Sequence, residues 1–282
     1  ETPHQRSGWV MSQMMTAGTA GNLVGPLLGG LLSSFFGNIF GGAWGYRIPF
    51  FITGFLMLLT FLGTTFLVHE DFTPISRAKM KPMKEIMHDL PNLKLIIIMF
   101  VTTMLVQSAT MSIDPIVSLY VKSMIPNSKN VAFVAGVVAA TPGLGTLVAA
   151  SKIGHKMDDV GPLHVLRIGL IIGAVLFVPM ALTKSPRILA GLRFLLGIAS
   201  AGMLPAAQTV LTLNTPPQSF GRIFSYNQSF QAVGSVLGAL MGSTISGLSN
   251  YATVFWTTGC TLLINFILVV VFAWGISYRH KK

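Results

Sequence analysis

Gly21-Asn22-Leu23-Val24-Gly25-Pro26-Leu27-Leu28-Gly29-Gly30 sets Gly21, Gly25 and Gly29 four residues apart. On a helix that spacing puts them in one row along one face, where the missing side chains let a second helix come close. The row recurs near the other end of the chain. With Gly8 set against Gly221, Ser12 meets Ser225, Gly21 meets Gly234, Gly25 meets Gly238 and Gly29 meets Gly242 without a gap. After a difference in loop length, Tyr46 meets Tyr251, Phe50 meets Phe255, Thr53 meets Thr258 and Gly54 meets Gly259. Two copies of one helix pair therefore stand at the start and the end of the chain.

The surroundings of both copies are hydrocarbon-like. Of the 282 residues 52% are hydrophobic and 10% charged, where soluble domains carry about 25% charged residues. Mean hydropathy is +0.68. The net charge of +11 comes from Lys and Arg placed between long apolar runs, not from a basic stripe on a folded domain, which excludes a nucleic-acid module. A spanning helix needs roughly 20 mostly apolar residues. About eight stretches qualify: Trp9–Phe36, Ile48–Val68, Leu93–Ser123, Val131–Ser151, Leu163–Thr183, Arg187–Leu213, Arg222–Ser246 and Tyr251–Ser277. Strand alternation is absent, which argues against a β-barrel. The expected class is an all-α polytopic membrane protein.

Charge then orients the spans. If the N-terminal loop is cytoplasmic, thirteen Lys and Arg fall on the cytoplasmic side and five, Arg47, Lys122, Lys129, Lys184 and Arg187, on the other. That is a positive-inside bias, predicting a multi-pass protein of the cell (inner) membrane with both ends of this chain cytoplasmic. Both copies of the repeat then run the same way, so the repeat is parallel. Parallel repeats of six-helix halves characterise the major facilitator architecture. The spans match its helices 5 to 12 of twelve, an incomplete fold. Residues 1–68 are the last two helices of one bundle, 69–92 a cytoplasmic linker with Pro74, Pro82 and Pro91, and 93–282 a six-helix bundle. The linker segment Lys81–Leu90 suits a short interfacial helix or a solvated connector. The chain starts at Glu1 without Met or a signal-peptide pattern, as a loop cut from a longer chain would. Cys260, the single cysteine, sits in an apolar stretch and is expected to be a small buried hydrophobe.

The string around Gly25 resembles the antiporter motif of the drug:proton antiporter-1 family, GxxxxxxxxGxxxGPxxGG on its fifth helix. Gly21, Gly25, Pro26, Gly29 and Gly30 match, and Ser12 replaces the leading glycine. The resemblance implies that these residues pack the two halves together; the plainer reading is a tight helix contact without further meaning. Gly154-His155-Lys156-Met157-Asp158-Asp159-Val160-Gly161 resembles the family's cytoplasmic gating loop, GxxxDRxGR. Gly154, Asp158 and Gly161 match, but Asp159 and Pro162 stand at the basic positions, so a simple polar turn competes. Arg193 with Gly197 resembles the RxxxG pattern of these transporters. An intramembrane Arg marks a functional or paired position, although Arg193 lies near enough to the outer end to snorkel to the interface. Together with Met203–Gln208 and Gly221–Gln231, these segments resemble the MdtG-like multidrug resistance transporters over essentially the whole chain.

Asp114 is the one carboxylate inside an expected span. An acid taken out of water favours its neutral form, which suits proton coupling or capture of a cationic drug. It could also line a wet cavity or cap the helix restarted at Pro115. Gln107, Asp114, Gln208, Asn227 and Gln231 are the candidate polar contacts for a substrate, with Asn227 and Gln231 sharing one helix face. No P-loop, HExxH or GxSxG string occurs, and the six His lack metal-ligand spacing, so no catalytic residue, metal or cofactor is expected. The glycines between Gly37 and Gly45 are expected in an outside loop. The expected activity is proton-coupled efflux of small amphipathic drugs by alternating access, with lipid, drug and protons as partners and a monomer when complete. The alternative is a symporter or facilitator for a small nutrient. The fragment alone is expected to be inactive.

Overall fold

The computed structural model describes residues 7–67, 92–126, 130–216 and 219–273. Side chains at 7–17, 19, 22, 23, 26, 38, 42, 43, 45 and 46 are outside that description, as are the chain ends and the expected linker, including Lys81–Leu90. The described residues form helices joined by turns, with no strand among them: α1 (Ser7–Phe40), α2 (Gly42–Leu67), α3 (Leu93–Ile113), α4 (Val117–Met124), α5 (Val131–Val160), α6 (Pro162–Leu182), α7 (Pro186–Ser200), α8 (Met203–Leu213), α9 (Phe220–Leu248) and α10 (Tyr251–Ala273).

Seven rods among the described residues are long and apolar enough to cross a membrane, with α3–α4 and α7–α8 each acting as one interrupted rod. The expected eighth, α1, is a 34-residue helix, and Leu27–Gly37 is the apolar stretch found among its described residues. Two expected loops are also helical. α1 runs through Phe40 and α2 starts at Gly42, so the glycine-rich stretch turns on Gly41 alone, at φ +87°. α5 continues past its apolar part to Val160, because Lys152–Asp159 is polar yet compatible with a helix. Gly154 and Asp158 therefore lie on a helix, and the turn belongs to Gly161, at φ 88° and ψ 149°, with Pro162 opening α6. That backbone region is open essentially to glycine alone, and Pro suits the first helical position because its missing N–H is needed by no one there.

The bundle is centred on α3. Lipid offers no hydrophobic force between helices, so close backbone approach and buried polar contacts must hold them together. A methyl added at Gly234, Gly238 or Gly242 of α9 would overlap the backbone carbonyls of Met104, Ser108 and Ser112 on α3 in turn. Polar contacts surround this ladder. Thr103 Oγ1 lies 2.7 Å from Asn227 Oδ1 of α9. Ser112 Oγ and Thr258 Oγ1 of α10 are 2.7 Å apart. Asn265 Nδ2 of α10 donates to the Thr102 carbonyl at 3.2 Å. All six side chains are buried.

A second close crossing joins α5 and α7. A methyl on Gly145 would strike the Phe194 carbonyl, and one on Gly197 the Pro142 carbonyl. Thr146 Oγ1 donates to the Gly197 carbonyl at 3.0 Å. Pro142 interrupts the hydrogen bonding of α5, and Thr141 Oγ1 donates to the stranded Val138 carbonyl at 2.8 Å.

α1 leans on α5 through Gly30, where a Cβ would sit 3.4 Å from the Ala132 carbonyl oxygen and 3.9 Å from Gly136 Cα. α2 packs on α1, and none of its spanning window is buried. Phe50, Phe51, Met57, Phe66 and Leu67 on α2 are all at least 70% exposed. An apolar surface of that extent belongs in lipid or against further helices. Cys260 is also exposed, on the outer face of α10. This corrects the expectation of a buried thiol. An apolar stretch in a membrane helix has an apolar outside as well as an apolar inside.

Candidate functional site

The interruption between α3 and α4 starts from Pro115. Lacking an N–H, it leaves the Met111 carbonyl without its helical donor. The chain tightens instead: Ile116 N donates to the Ile113 carbonyl at 3.0 Å, and helix resumes when Tyr120 N donates to Ile116 at 2.8 Å. Asp114 sits at the start of this break. It does not cap the restarted helix, whose first residue follows Ile116 with no side-chain cap.

Its carboxylate turns to α7 instead. Arg193 Nη2 donates to Asp114 Oδ1 at 3.0 Å, an ion pair between a buried guanidinium and a half-exposed carboxylate. Arg193 is 3% exposed, so it does not snorkel. It lies about 10 Å below the start of α7 at Pro186, taking 1.5 Å of rise per residue. The Gly197 contact one turn further on holds α7 against α5 and so fixes where Arg193 stands. Arg193 Nε is buried and meets no acceptor among the described residues. The pair is thus one strong bond on an arginine with donors to spare.

The other expected contacts separate into two kinds. Gln107, half-buried, lies seven residues before Asp114 and shares its face of α3. Gln208 is half-buried on α8. Asn227, at 1% exposure, is packed into the seam with α3, where Thr103 shares its proton between Asn227 Oδ1 and the Phe100 carbonyl. Asn227 therefore finds its polar partner inside the bundle, where it positions α9 against α3. Gln231, one turn on, is half-buried with its Nε2 enclosed and unpartnered among the described residues. Thr102, Thr103, Ser112 and Asn265 were not marked by any motif, and Thr258 only by the repeat. Asn265 carries its own signal, an amide alone in the apolar run Leu262–Val271.

The glycine string of α1 divides between two faces. Gly30 meets α5, while a methyl added at Gly21, Gly25 or Gly29 would meet no described atom within 4 Å. The side chain of Pro26 is outside the described residues. Asp158 is exposed on the last turn of α5, and Gly154 has open space beside it.

Residues 99–281 match the family described as Major Facilitator Superfamily. The chain belongs to the major facilitator superfamily. It is 40% identical over 282 residues to the multidrug resistance protein MdtG of Salmonella dublin, covering 100% of this chain and 67% of that protein. The MdtG proteins of Salmonella arizonae and Salmonella heidelberg are also 40% identical, with the same coverage. The chain is a multi-pass membrane protein of a transporter family, and its helices are the all-α membrane fold of that family in incomplete form.

Proposed function

We propose that the protein is a secondary active transporter that exports amphipathic drugs in exchange for protons by alternating access. The observation that carries this reading is 40% identity, extending over the entire chain, with proteins named for multidrug resistance. In this reading residues 1–68 are the last two helices of one bundle, 69–92 a cytoplasmic linker and 93–282 the second bundle, with both ends of the chain cytoplasmic. The close approach of Gly30 to Ala132 and Gly136 supports rocking between bundles, because small residues can slide where interdigitated side chains would lock.

Gln107, Gln208 and Gln231 serve as polar substrate contacts on the second bundle. Met and Phe side chains supply an adaptable apolar wall. Asp114 exchanges its proton against the ion pair with Arg193, so protonation or a cationic drug at Asp114 releases α7 from the α3–α4 break. The row Gly21, Gly25 and Gly29 receives a helix of the first bundle, as the matching row of α9 receives α3.

The test is drug uptake by vesicles of the complete transporter with an acidic lumen. Accumulation that collapses on adding a protonophore is expected. Equilibration of a sugar independent of the proton gradient would overturn the proposal. The eight-helix chain alone, in parallel vesicles, is expected to accumulate no drug, because alternating access needs two bundles.

A further inference from the structure

A cavity of about 430 Å³ opens where the ends of α4, α6 and α10 meet, and none of the substrate contacts named above lines it. Its walls include Tyr120, Tyr251, Thr183, Lys184 and Asn250. The Tyr120 and Tyr251 rings lie 5.8 Å apart. Tyr120 donates its hydroxyl to the Thr183 carbonyl at 2.9 Å, which fixes the connection carrying Lys184. Asn250 Oδ1 accepts from Thr253 N at 2.9 Å, so the start of α10 is likewise held in place.

The charge at this end of the bundle is one-sided. The connections at residues 37–47, 122–130, 183–187 and 248–251 contain Arg47, Lys122, Lys129, Lys184 and Arg187, and no Asp or Glu. Lys184 is exposed, and none of these connections carries an acid that could pair with it. Tyr rings paired with a Lys at the ends of spanning helices are suited to the headgroup layer, where one end of a group is wet and the other apolar.

A third observation distinguishes lipid from a soluble anion. Leu182 lines the cavity and is 67% exposed, and below it Val178 and Val175 are 40% and 60% exposed on the same face of α6. Spaced at three and four residues, they form an apolar track running from the cavity down the helix. We propose that the cavity seats the phosphate headgroup of an anionic phospholipid, with Lys184 as its counter-ion and an acyl chain along Leu182, Val178 and Val175.

The test is native mass spectrometry of the full chain released from detergent with dioleoyl-phosphatidylglycerol or dioleoyl-phosphatidylcholine. One phosphatidylglycerol is expected to be retained at least fivefold better than phosphatidylcholine. Lys184→Glu should remove that preference, Lys184→Gln should weaken it, and Lys184→Arg should keep it. Lys152→Glu, at the far end of α5, should leave it unchanged. Equal retention of the two lipids, or an undiminished preference in correctly folded Lys184→Glu and Lys184→Gln, overturns the site. Displacement of the bound lipid by millimolar glycerol 1-phosphate would reassign it to soluble phosphate esters and overturn the lipid proposal.

Discussion

Arg193 on α7 and Asp114 at the α3–α4 break form an ion pair at 3.0 Å in which the arginine is buried and the aspartate half exposed. The asymmetry sets the roles. The guanidinium needs a counter-charge where it stands, whereas the carboxylate retains access to whatever fills the space beside it. The pair therefore ties α7 to the α3–α4 break through a carboxylate that is open on one side.

Removing the carboxylate with Asp114→Asn should destabilise the protein by about 1–3 kcal/mol. That is below the roughly 3–5 kcal/mol for a pair buried on both sides, because the exposed half of Asp114 is screened. The double variant Asp114→Asn/Arg193→Gln should recover part of the loss. Thermal unfolding followed by size exclusion in detergent gives all four corners of the cycle, and strict additivity would contradict coupling.

The α9 ladder predicts position-dependent effects of one methyl group. Gly238→Ala drives a Cβ into the Ser108 carbonyl, and overpacking of that kind costs about 1–3 kcal/mol. Gly191→Ala on α7 meets nothing within 4 Å and should be neutral or stabilising by up to about 1 kcal/mol, from helix propensity alone. Melting temperatures of the two variants should move in opposite directions or by clearly unequal amounts.

Ser112 and Thr258 should behave as one unit. Ser112→Ala leaves Thr258 without its cross-helix partner, although Thr258 Oγ1 still reaches the Val254 carbonyl at 2.7 Å. That local bond limits the loss, so each single variant should cost about 0.5–1 kcal/mol, near the values for hydrogen bonds within membrane bundles. The pair Ser112→Ala/Thr258→Val should cost less than the two added together, as measured by unfolding in mixed micelles.

Gly161→Ala tests the α5–α6 turn. At φ 88° and ψ 149° a side chain is strained by about 1–3 kcal/mol. Open space around the position means that strain, not collision, is the cause. Gly161→Asn and Gly161→Ala should therefore lower the melting temperature similarly despite their different sizes. A marked dependence on side-chain volume would point to packing instead.

The family's glycine string was legible because it is periodic and local. Its contacts were not. A Cβ added at Gly30 would meet α5, while one at Gly21, Gly25 or Gly29 would meet no described atom within 4 Å. Asp114 and Arg193 each stand out as charges in apolar runs, but nothing in the order of residues joins them across 79 positions. Asn227, an amide that should avoid lipid, is expected to face the bundle or a cavity; the seam with α3 is a place in the bundle that only the tertiary contacts could name. The expected loop at Gly154–Gly161 failed for a simpler reason: hydropathy falls where the membrane ends, and a helix can continue into water.

The chain's own order fixes that it crosses a membrane repeatedly as helices, that one helix pair repeats near each end of the chain, and where glycine rows allow close approach. These follow from length, hydropathy and spacing, which are properties of short segments. Burial was decided by tertiary structure. Phe50 and Phe255 occupy matching places in the repeat, yet Phe50 is 79% exposed and Phe255 fully buried. Thr258 bonds across to Ser112, whereas its counterpart Thr53 bonds only to its own helix at Pro49. The difference lies in the neighbours, since α10 has α3 and α6 against it and α2 has no equivalent among the described residues. In a membrane both the core and the lipid face are apolar, so hydrophobicity cannot tell one from the other, and the packing of helix against helix makes that choice.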